Sequence, residues 1–185
     1  QMIDGSKVAE GDLVLGLASN GVHSNGYSLV LKILSNLKLT HSDKMPGTNE
    51  TLGDLLLNPT KIYVAPVLQS IKQCPGSIHG MTHITGGGIS GNLPRVIPDN
   101  LCVEIDWNSW KRPPVMQWLH KAGEISVDEM REVFNCGIGY CLVVGSKDAQ
   151  KVMKSLKDSG EACTVIGEIV LRRSNQIIRF KGEGF

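Results

Sequence analysis

A polar segment bounded by glycines, between an apolar strand and an amphipathic helix, constrains the fold of this chain most strongly. The apolar run at residues 13–17 predicts a strand, and the helical spacing of apolar residues over 27–37 predicts a helix. The intervening residues 19–26, here called the first loop, therefore end at a helix N-terminus, where free backbone N–H groups stabilise anions. We predict that the first loop binds an anionic group of a ligand.

The first loop carries side chains suited to a polar ligand. Gly26 can adopt positive φ and lets a ligand approach the backbone closely. Ser24 and Asn25 offer short donors and acceptors, and His23 offers a ring nitrogen that titrates near neutral pH. The alternative is that Ser24 or Asn25 merely caps the helix. A cap needs one such residue, whereas this loop concentrates five polar side chains, so all four residues are candidate site residues.

A second loop of the same kind follows a short predicted strand at residues 78–84. It consists of Thr85, Gly86, Gly87 and Gly88. Three consecutive glycines lose much backbone entropy on folding, a cost that is tolerated where N–H groups converge on a ligand such as phosphate. The loop lacks both the Gly-Lys-Ser/Thr of a Walker loop and the GxGxxG spacing of a dinucleotide loop. A tight turn without a ligand is the alternative.

Composition excludes several classes of partner. A formal net charge of +1 provides no basic field for nucleic acid. No apolar run approaches the roughly 18–20 residues of a membrane helix, so we expect no membrane partner. The five cysteines are scattered and form no CxxC pair. We therefore expect reduced structural thiols in a cytoplasmic protein, with a disulfide or a metal site as the alternatives.

Metal and nucleotide binding find little support within the chain itself. His79 and His83 are four residues apart, but no HExxH motif or third ligand at suitable spacing accompanies them, so we expect no metal site. The carboxylates are scattered, and an enzyme that uses ATP needs magnesium held by carboxylates. If a nucleotide is used, we expect another domain to supply that half of the site.

Helices and strands alternate along the chain, with about six strands. This order predicts an α+β fold in which a mixed β-sheet is flanked by helices. The segment 58–60, Asn-Pro-Thr, predicts the start of a helix that runs to about residue 73, with a kink at Pro66. Residues 1–10 are interpreted as the remnant of an interdomain linker, and residues 11–185 as one domain.

Several motifs occur in a fixed order over nearly the whole chain. They are residues 11–29, 55–64, 83–88, 92–96, 134–139 and 166–170. In this order they resemble the C-terminal domain of the phosphoribosylformylglycinamidine cyclo-ligase, or AIR synthase, family. The His-Ser-Asn-Gly stretch is shared by a wider superfamily, whereas Asn-Pro-Thr-Lys-Ile-Tyr and Asn-Leu-Pro-Arg point to the cyclo-ligase.

The resemblance implies an ATP-dependent ligase of purine biosynthesis, which converts formylglycinamidine ribonucleotide to aminoimidazole ribonucleotide with release of ADP and phosphate. It implies an α+β domain that is partly ferredoxin-like, and a homodimer whose N-terminal domains carry most of the ATP and Mg²⁺ site. Because those domains are absent from this chain, we expect the chain alone to be inactive.

The same resemblance suggests roles for the two loops toward a small phosphoribosyl substrate. Ser24, Asn25 and Gly26 would line the substrate pocket. Thr85 with Gly86, Gly87 and Gly88 would hold a phosphate of the substrate or the nucleotide. His23 is a candidate for a polar or acid–base role.

Three positions depart from the family pattern. Asn20 stands where a small Ser or Thr is expected. Leu31 stands where an arginine is expected, and Gly91 stands where a glutamate is common; neither receives a role. Two alternatives stay open at this point. One is another enzyme of the superfamily, such as formylglycinamidine ribonucleotide synthetase, selenophosphate synthetase or thiamine monophosphate kinase. The other is a non-catalytic module that binds a phosphate ligand.

Overall fold

The computed structural model describes residues 2–182 and 184–185 as a six-stranded sheet with helices on both faces. The strands are β1 (Leu13–Ala18), β2 (Ile78–His83), β3 (Leu101–Asp106), β4 (Ile138–Val144), β5 (Cys163–Leu171) and β6 (Ile178–Lys181). The helices are α1 (Tyr27–Asn36), α2 (Leu52–Leu56), α3 (Val64–Gln73), α4 (Gly88–Asn92), α5 (Pro114–Ala122), α6 (Val127–Val133) and α7 (Ala149–Asp158). A 3₁₀ turn at Leu93–Val96 follows α4.

The strand order across the sheet is β2-β4-β1-β5-β3-β6. Neighbouring strands are antiparallel except β3 and β6, which are parallel. The α+β prediction with a mixed sheet is therefore confirmed. Because β1 is central and β2 lies at one edge, with only β4 between them, the loops that follow these two strands leave the same part of the sheet.

Apolar side chains pack on both faces of the sheet. Successive residues of a strand point to opposite faces, so Leu15 and Leu17 pack with α3 and α7. Val14 joins the larger cluster, which also holds apolar side chains of the other helices. The layer on each face fixes β1, and with it the start of the first loop.

The helix predicted from residue 58 is wrong at its start. Residues 57–63 are not helical, and α3 begins at Val64. Pro66 is the third residue of α3, where its missing N–H would have no helical partner in any case, so this proline belongs to the first turn. Pro59 disfavours the helical conformation at Asn58. The non-helical segment brings Lys61 and Tyr63 to the end of β1 instead.

The cysteine prediction agrees with the structure. All five thiols are free; Cys163 is half-buried and the other four are buried. Within the part of the chain that the structure describes, no helix combines the length and apolar character needed to cross a membrane.

Candidate functional site

The first loop is tied down by the side chain of Asn135, which is fully buried. Asn135 Nδ2 donates to the Gly21 carbonyl oxygen at 2.8 Å. Its Oδ1 accepts hydrogen bonds from Ser19 Oγ at 2.9 Å and from the Gly137 N–H at 2.8 Å. Since both ends of the amide are used, the path of the loop is fixed before any ligand arrives.

The second loop is held in the same way by another buried asparagine, Asn92. Asn92 Nδ2 lies 2.8 Å from the Gly88 carbonyl oxygen, 3.1 Å from that of Gly86 and 3.3 Å from that of Thr85. Its Oδ1 accepts from Thr85 Oγ1 at 3.2 Å. The hydroxyl proton of Thr85 is therefore donated to Asn92. The lone pairs of the same hydroxyl oxygen stay free to accept a hydrogen bond from a ligand.

The two loops lie side by side on the C-terminal end of α6. A Cβ on Gly26 would overlap the Phe134 ring, and a Cβ on Gly88 would overlap the Arg131 carbonyl oxygen. Both glycines also have positive φ, 75° and 58°, so packing and backbone conformation already require glycine there. Gly86 differs, because a Cβ on it would meet no atom within 4 Å. Its backbone is open to a ligand.

The alternative that Ser24 or Asn25 merely caps helix α1 is wrong. Gly26 is the N-cap of α1, and among the described residues no side chain accepts a hydrogen bond from the first turn. Ser24 instead places its Oγ 3.1 Å from Thr60 Oγ1, and Asn25 is half-buried beside it. The N–H groups at the start of α1 are thus left for water or an anion.

His23 belongs to a cluster of aromatic rings. This cluster is a second contact between the two loops, besides their shared packing on α6. The His23 ring centroid lies 6.3 Å from that of Tyr63 and 6.5 Å from that of His83. Tyr140 completes the cluster, 5.4 Å from Tyr63 and 6.1 Å from His83. His83 is the last residue of β2 and Tyr140 belongs to neighbouring β4, so His23 of the first loop packs against the strand that leads into the second.

The end of β1 receives two donors from the segment that sequence reasoning took for a helix. Tyr63 Oη donates to the Ala18 carbonyl oxygen at 2.9 Å, and Lys61 Nζ donates to it at 3.3 Å. Lys61 Nζ is also 2.7 Å from Oε2 of Glu161, whose side chain is 9% exposed. This ion pair holds the ammonium group within the rim of the first loop.

Burial keeps the His23 imidazole neutral. The side chain is 1% exposed, and this desolvation, together with the nearby charges of His83 and Lys61, lowers the pKa of His23 to about 4. Nε2 accepts from the Asn20 N–H at 3.4 Å, and Nδ1 is buried with no hydrogen-bond partner among the described residues. A neutral ring that accepts at Nε2 carries its proton at Nδ1, so this N–H is a buried donor without a partner among the described residues.

The two histidines considered for metal binding have separate surroundings. His79 Nδ1 lies 2.6 Å from Asp12 Oδ2, whereas His83 belongs to the ring cluster. Within residues 2–182 and 184–185, no group of three or more His, Cys, Asp or Glu side chains could hold a metal ion. Among the departures from the family pattern, Leu31 is 62% exposed on α1, and a Cβ on Gly91 would face open space.

Sequence reasoning missed the residues that hold the loops and complete the ring cluster. They are Lys61, Tyr63, His83, Asn92, Asn135, Tyr140 and Glu161. Most lie in motifs quoted for the family resemblance, so the motifs were a usable signal. Their roles depend on contacts between distant parts of the chain, which spacing along the sequence does not reveal.

Comparison with known families and proteins gives one consistent result. The family model "AIR synthase related protein, C-terminal domain" matches residues 9–179. A phosphoribosylformylglycinamidine cyclo-ligase from Nitrosococcus oceani is 46% identical over 175 residues, which cover 95% of this chain and 48% of that protein. The cyclo-ligase from Cupriavidus pinatubonensis is 45% identical over 176 residues, covering 95% and 49%. The chain spans about half the length of these curated relatives.

Solved structures share the fold at low sequence identity. Thiamine-monophosphate kinase from Stenotrophomonas maltophilia K279a has a TM-score of 0.63 at 15% identity, covering 98% of this chain and 53% of its own. E. coli HypE, a hydrogenase maturation protein, has a TM-score of 0.61 at 17% identity, covering 96% and 48%. These likenesses concern the fold alone.

Proposed function

Because this chain belongs to the family of AIR synthase related proteins, whose C-terminal domain it matches, we propose that it is the C-terminal half of a phosphoribosylformylglycinamidine cyclo-ligase. The enzyme would convert formylglycinamidine ribonucleotide and ATP to aminoimidazole ribonucleotide, ADP and phosphate in the cytoplasm. The observation that carries this proposal is 46% identity to a cyclo-ligase over 95% of the chain. The geometry supports it, since two glycine loops suited to phosphate lie side by side.

The two loops would form one pocket for the phosphoribosyl substrate. Ser24, Asn25 and Gly26 would line it at the uncapped start of α1, where backbone N–H groups can hold an anion. The segment 85–88 would hold a phosphate, with Gly86 offering the open backbone. The asparagine clamps support this assignment, because loops that are fixed in advance lose little entropy on binding.

Ring closure would proceed in two steps. The formyl oxygen attacks the γ-phosphorus of ATP, ADP leaves, and the oxygen becomes a phosphate ester. The amidine-side nitrogen then attacks the formyl carbon, the carbon–oxygen bond breaks, phosphate leaves and the nitrogen loses a proton. His23 would lie beside the reacting group, where its neutral imidazole can donate a hydrogen bond from Nδ1.

ATP and Mg²⁺ would be held mainly by the half of the enzyme outside this chain. The described residues offer no group of three metal-ligating side chains, so they do not form a magnesium site by themselves. That other half would also form the homodimer. The 185-residue chain alone is therefore expected to be inactive.

The test is turnover by the full-length protein on a small panel of substrates. The panel contains formylglycinamidine ribonucleotide with ATP, formylglycinamide ribonucleotide with ATP and glutamine, and thiamine monophosphate with ATP. We expect ring-closed product and ADP from the first alone, and none from the isolated 185-residue chain. Turnover of another panel member in place of the first would assign a different enzyme of the superfamily. Phosphate-ligand binding without turnover would assign a binding module.

A further inference from the structure

Three large apolar side chains beside the site are exposed together. Ile62, Val64 and Leu68 are 78%, 63% and 59% exposed. They line one open groove of about 480 Å³ between α3 and the edge strand β2. Isolated exposed apolar residues are ordinary, but a contiguous apolar patch on a folded domain marks a surface that another molecule covers.

The groove carries almost no free charge. Among the Asp, Glu, Lys and Arg residues that the structure describes, Lys61 alone lines the groove. Its ammonium group forms an ion pair with Glu161 at 2.7 Å. The remaining lining residues are mainly apolar or aromatic, including Val67, Met81 and Tyr140. Charge depletion with aromatic enrichment is typical of the centre of a protein–protein interface.

The groove is continuous with the candidate site. Tyr63 and His83 belong both to its lining and to the ring cluster around His23. Lys61 lines the groove and donates to the Ala18 carbonyl oxygen, where the first loop begins. A polypeptide seated in the groove would therefore reach the edge of both loops.

We propose that this groove seats an apolar surface of the half of the full-length protein that lies outside this chain. The proposal rests on the proposed function, because the curated cyclo-ligases are about twice as long as the matched region. A site shared between two halves needs a fixed contact beside it, and the groove is an apolar surface in that position. A small ligand fits less well, because Val64 and Leu68 protrude into solvent whereas small-molecule sites enclose most of their ligand.

The first experiment compares thiol accessibility at two matched positions in the full-length protein. Leu68→Cys and Leu31→Cys each replace the fifth residue of a ten-residue helix, and the leucines are 59% and 62% exposed in this chain. Maleimide labelling is followed by peptide mass spectrometry, which separates the new thiols from the native ones. We expect Leu68→Cys to react at least about tenfold more slowly than Leu31→Cys, because a covered site reacts only through local opening.

The second experiment identifies what covers the groove. The photo-crosslinking residue p-benzoylphenylalanine replaces Leu68 in the full-length protein, and the crosslinked peptides are mapped after irradiation. A crosslink to a peptide outside residues 1–185 supports the proposal. A crosslink to the corresponding residues of a second copy overturns it, since the groove would then be a contact between like halves.

Equal labelling rates at positions 68 and 31 would also overturn the proposal, because the groove would be open in the full-length protein. Neither experiment uses catalysis as its readout. A full-length protein that lacks cyclo-ligase activity but protects Leu68→Cys would refute the proposed function and leave the interface standing. An active cyclo-ligase in which Leu68→Cys is labelled as fast as Leu31→Cys would refute the interface and leave the proposed function standing.

Discussion

Asn135 Nδ2 donates to the Gly21 carbonyl oxygen at 2.8 Å, although 114 residues separate the two in the chain. The contact joins the entrance of β4 to the first loop. Because the other end of the same amide accepts from Ser19 Oγ, the side chain works only in one orientation. A carboxylate of the same shape could accept but could not donate.

Asn135→Asp should therefore destabilise the chain by about 1 to 3 kcal/mol, since a buried carbonyl oxygen loses its donor and faces an acceptor instead. Urea unfolding followed by circular dichroism measures the free energy of unfolding. Asn49→Asp is the matched control on an exposed loop residue, where little change is expected. Equal effects at positions 135 and 49 would contradict the clamp.

Stability should fall on acidification because of His23. The folded-state pKa is lowered to about 4, while the unfolded side chain titrates near 6.5, so the unfolded state binds more protons between these values. The contribution of His23 to the free energy of unfolding is constant above about pH 6.5. It falls by up to about 3 kcal/mol as the pH drops to 4. The free energy of unfolding is measured at several pH values for the wild type and for His23→Gln, and the difference between the two curves is the contribution of His23. Two parallel curves would contradict this contribution.

The ion pair between Lys61 and Glu161 should contribute more to the free energy of unfolding than an exposed ion pair does. Glu161→Gln leaves the partly buried ammonium of Lys61 without its partner and should cost about 1 to 2 kcal/mol. Asp128→Asn removes an exposed partner of Arg131, with Asp128 87% exposed, and should cost much less. Denaturant unfolding of both variants compares the pairs. A smaller loss for Glu161→Gln than for Asp128→Asn would count against a role for the pair in fixing the loop rim.

His23→Ala in the full-length enzyme should lower kcat by about a hundredfold, since removal of one hydrogen-bond donor aimed at the reacting group costs about that much or more. Because the side chain is buried, some loss of thermal stability is expected as well, so kcat is measured well below the thermal midpoint. His41→Ala is the control, because this histidine is exposed in the loop that follows α1. Steady-state kinetics and thermal unfolding of both variants separate the two effects. Unchanged kcat in His23→Ala would remove His23 from the reaction.

The regular elements could be predicted because they depend on local pattern. The apolar run at residues 13–17 predicts a strand, and β1 is observed at Leu13–Ala18. The segment before α3 was mispredicted because two prolines compete to start one helix. Pro66 begins the observed helix in its first turn, while Pro59 lies outside it. Sequence alone gave no means of ranking them.

Sequence reasoning identified the two glycine loops as candidates and missed the residues that support them. Both glycine loops were identified because their composition is local, but their clamps are not. Asn135 reaches the first loop across 114 residues, and Lys61, which precedes α3, pairs with Glu161, which follows α7. Such partners follow from topology, which periodicity along the chain does not encode.

The most direct test of the central claim, that both loops form one substrate site, compares two glycines. A Cβ meets nothing within 4 Å at Gly86 or at Gly91, and neither has positive φ, so alanine fits both without strain. Formylglycinamidine ribonucleotide is titrated calorimetrically into the full-length wild type, Gly86→Ala and Gly91→Ala. We predict that Gly86→Ala weakens binding by about tenfold, because its methyl group enters the space left for phosphate, while Gly91→Ala binds like the wild type. Equal affinities of all three proteins would contradict the account.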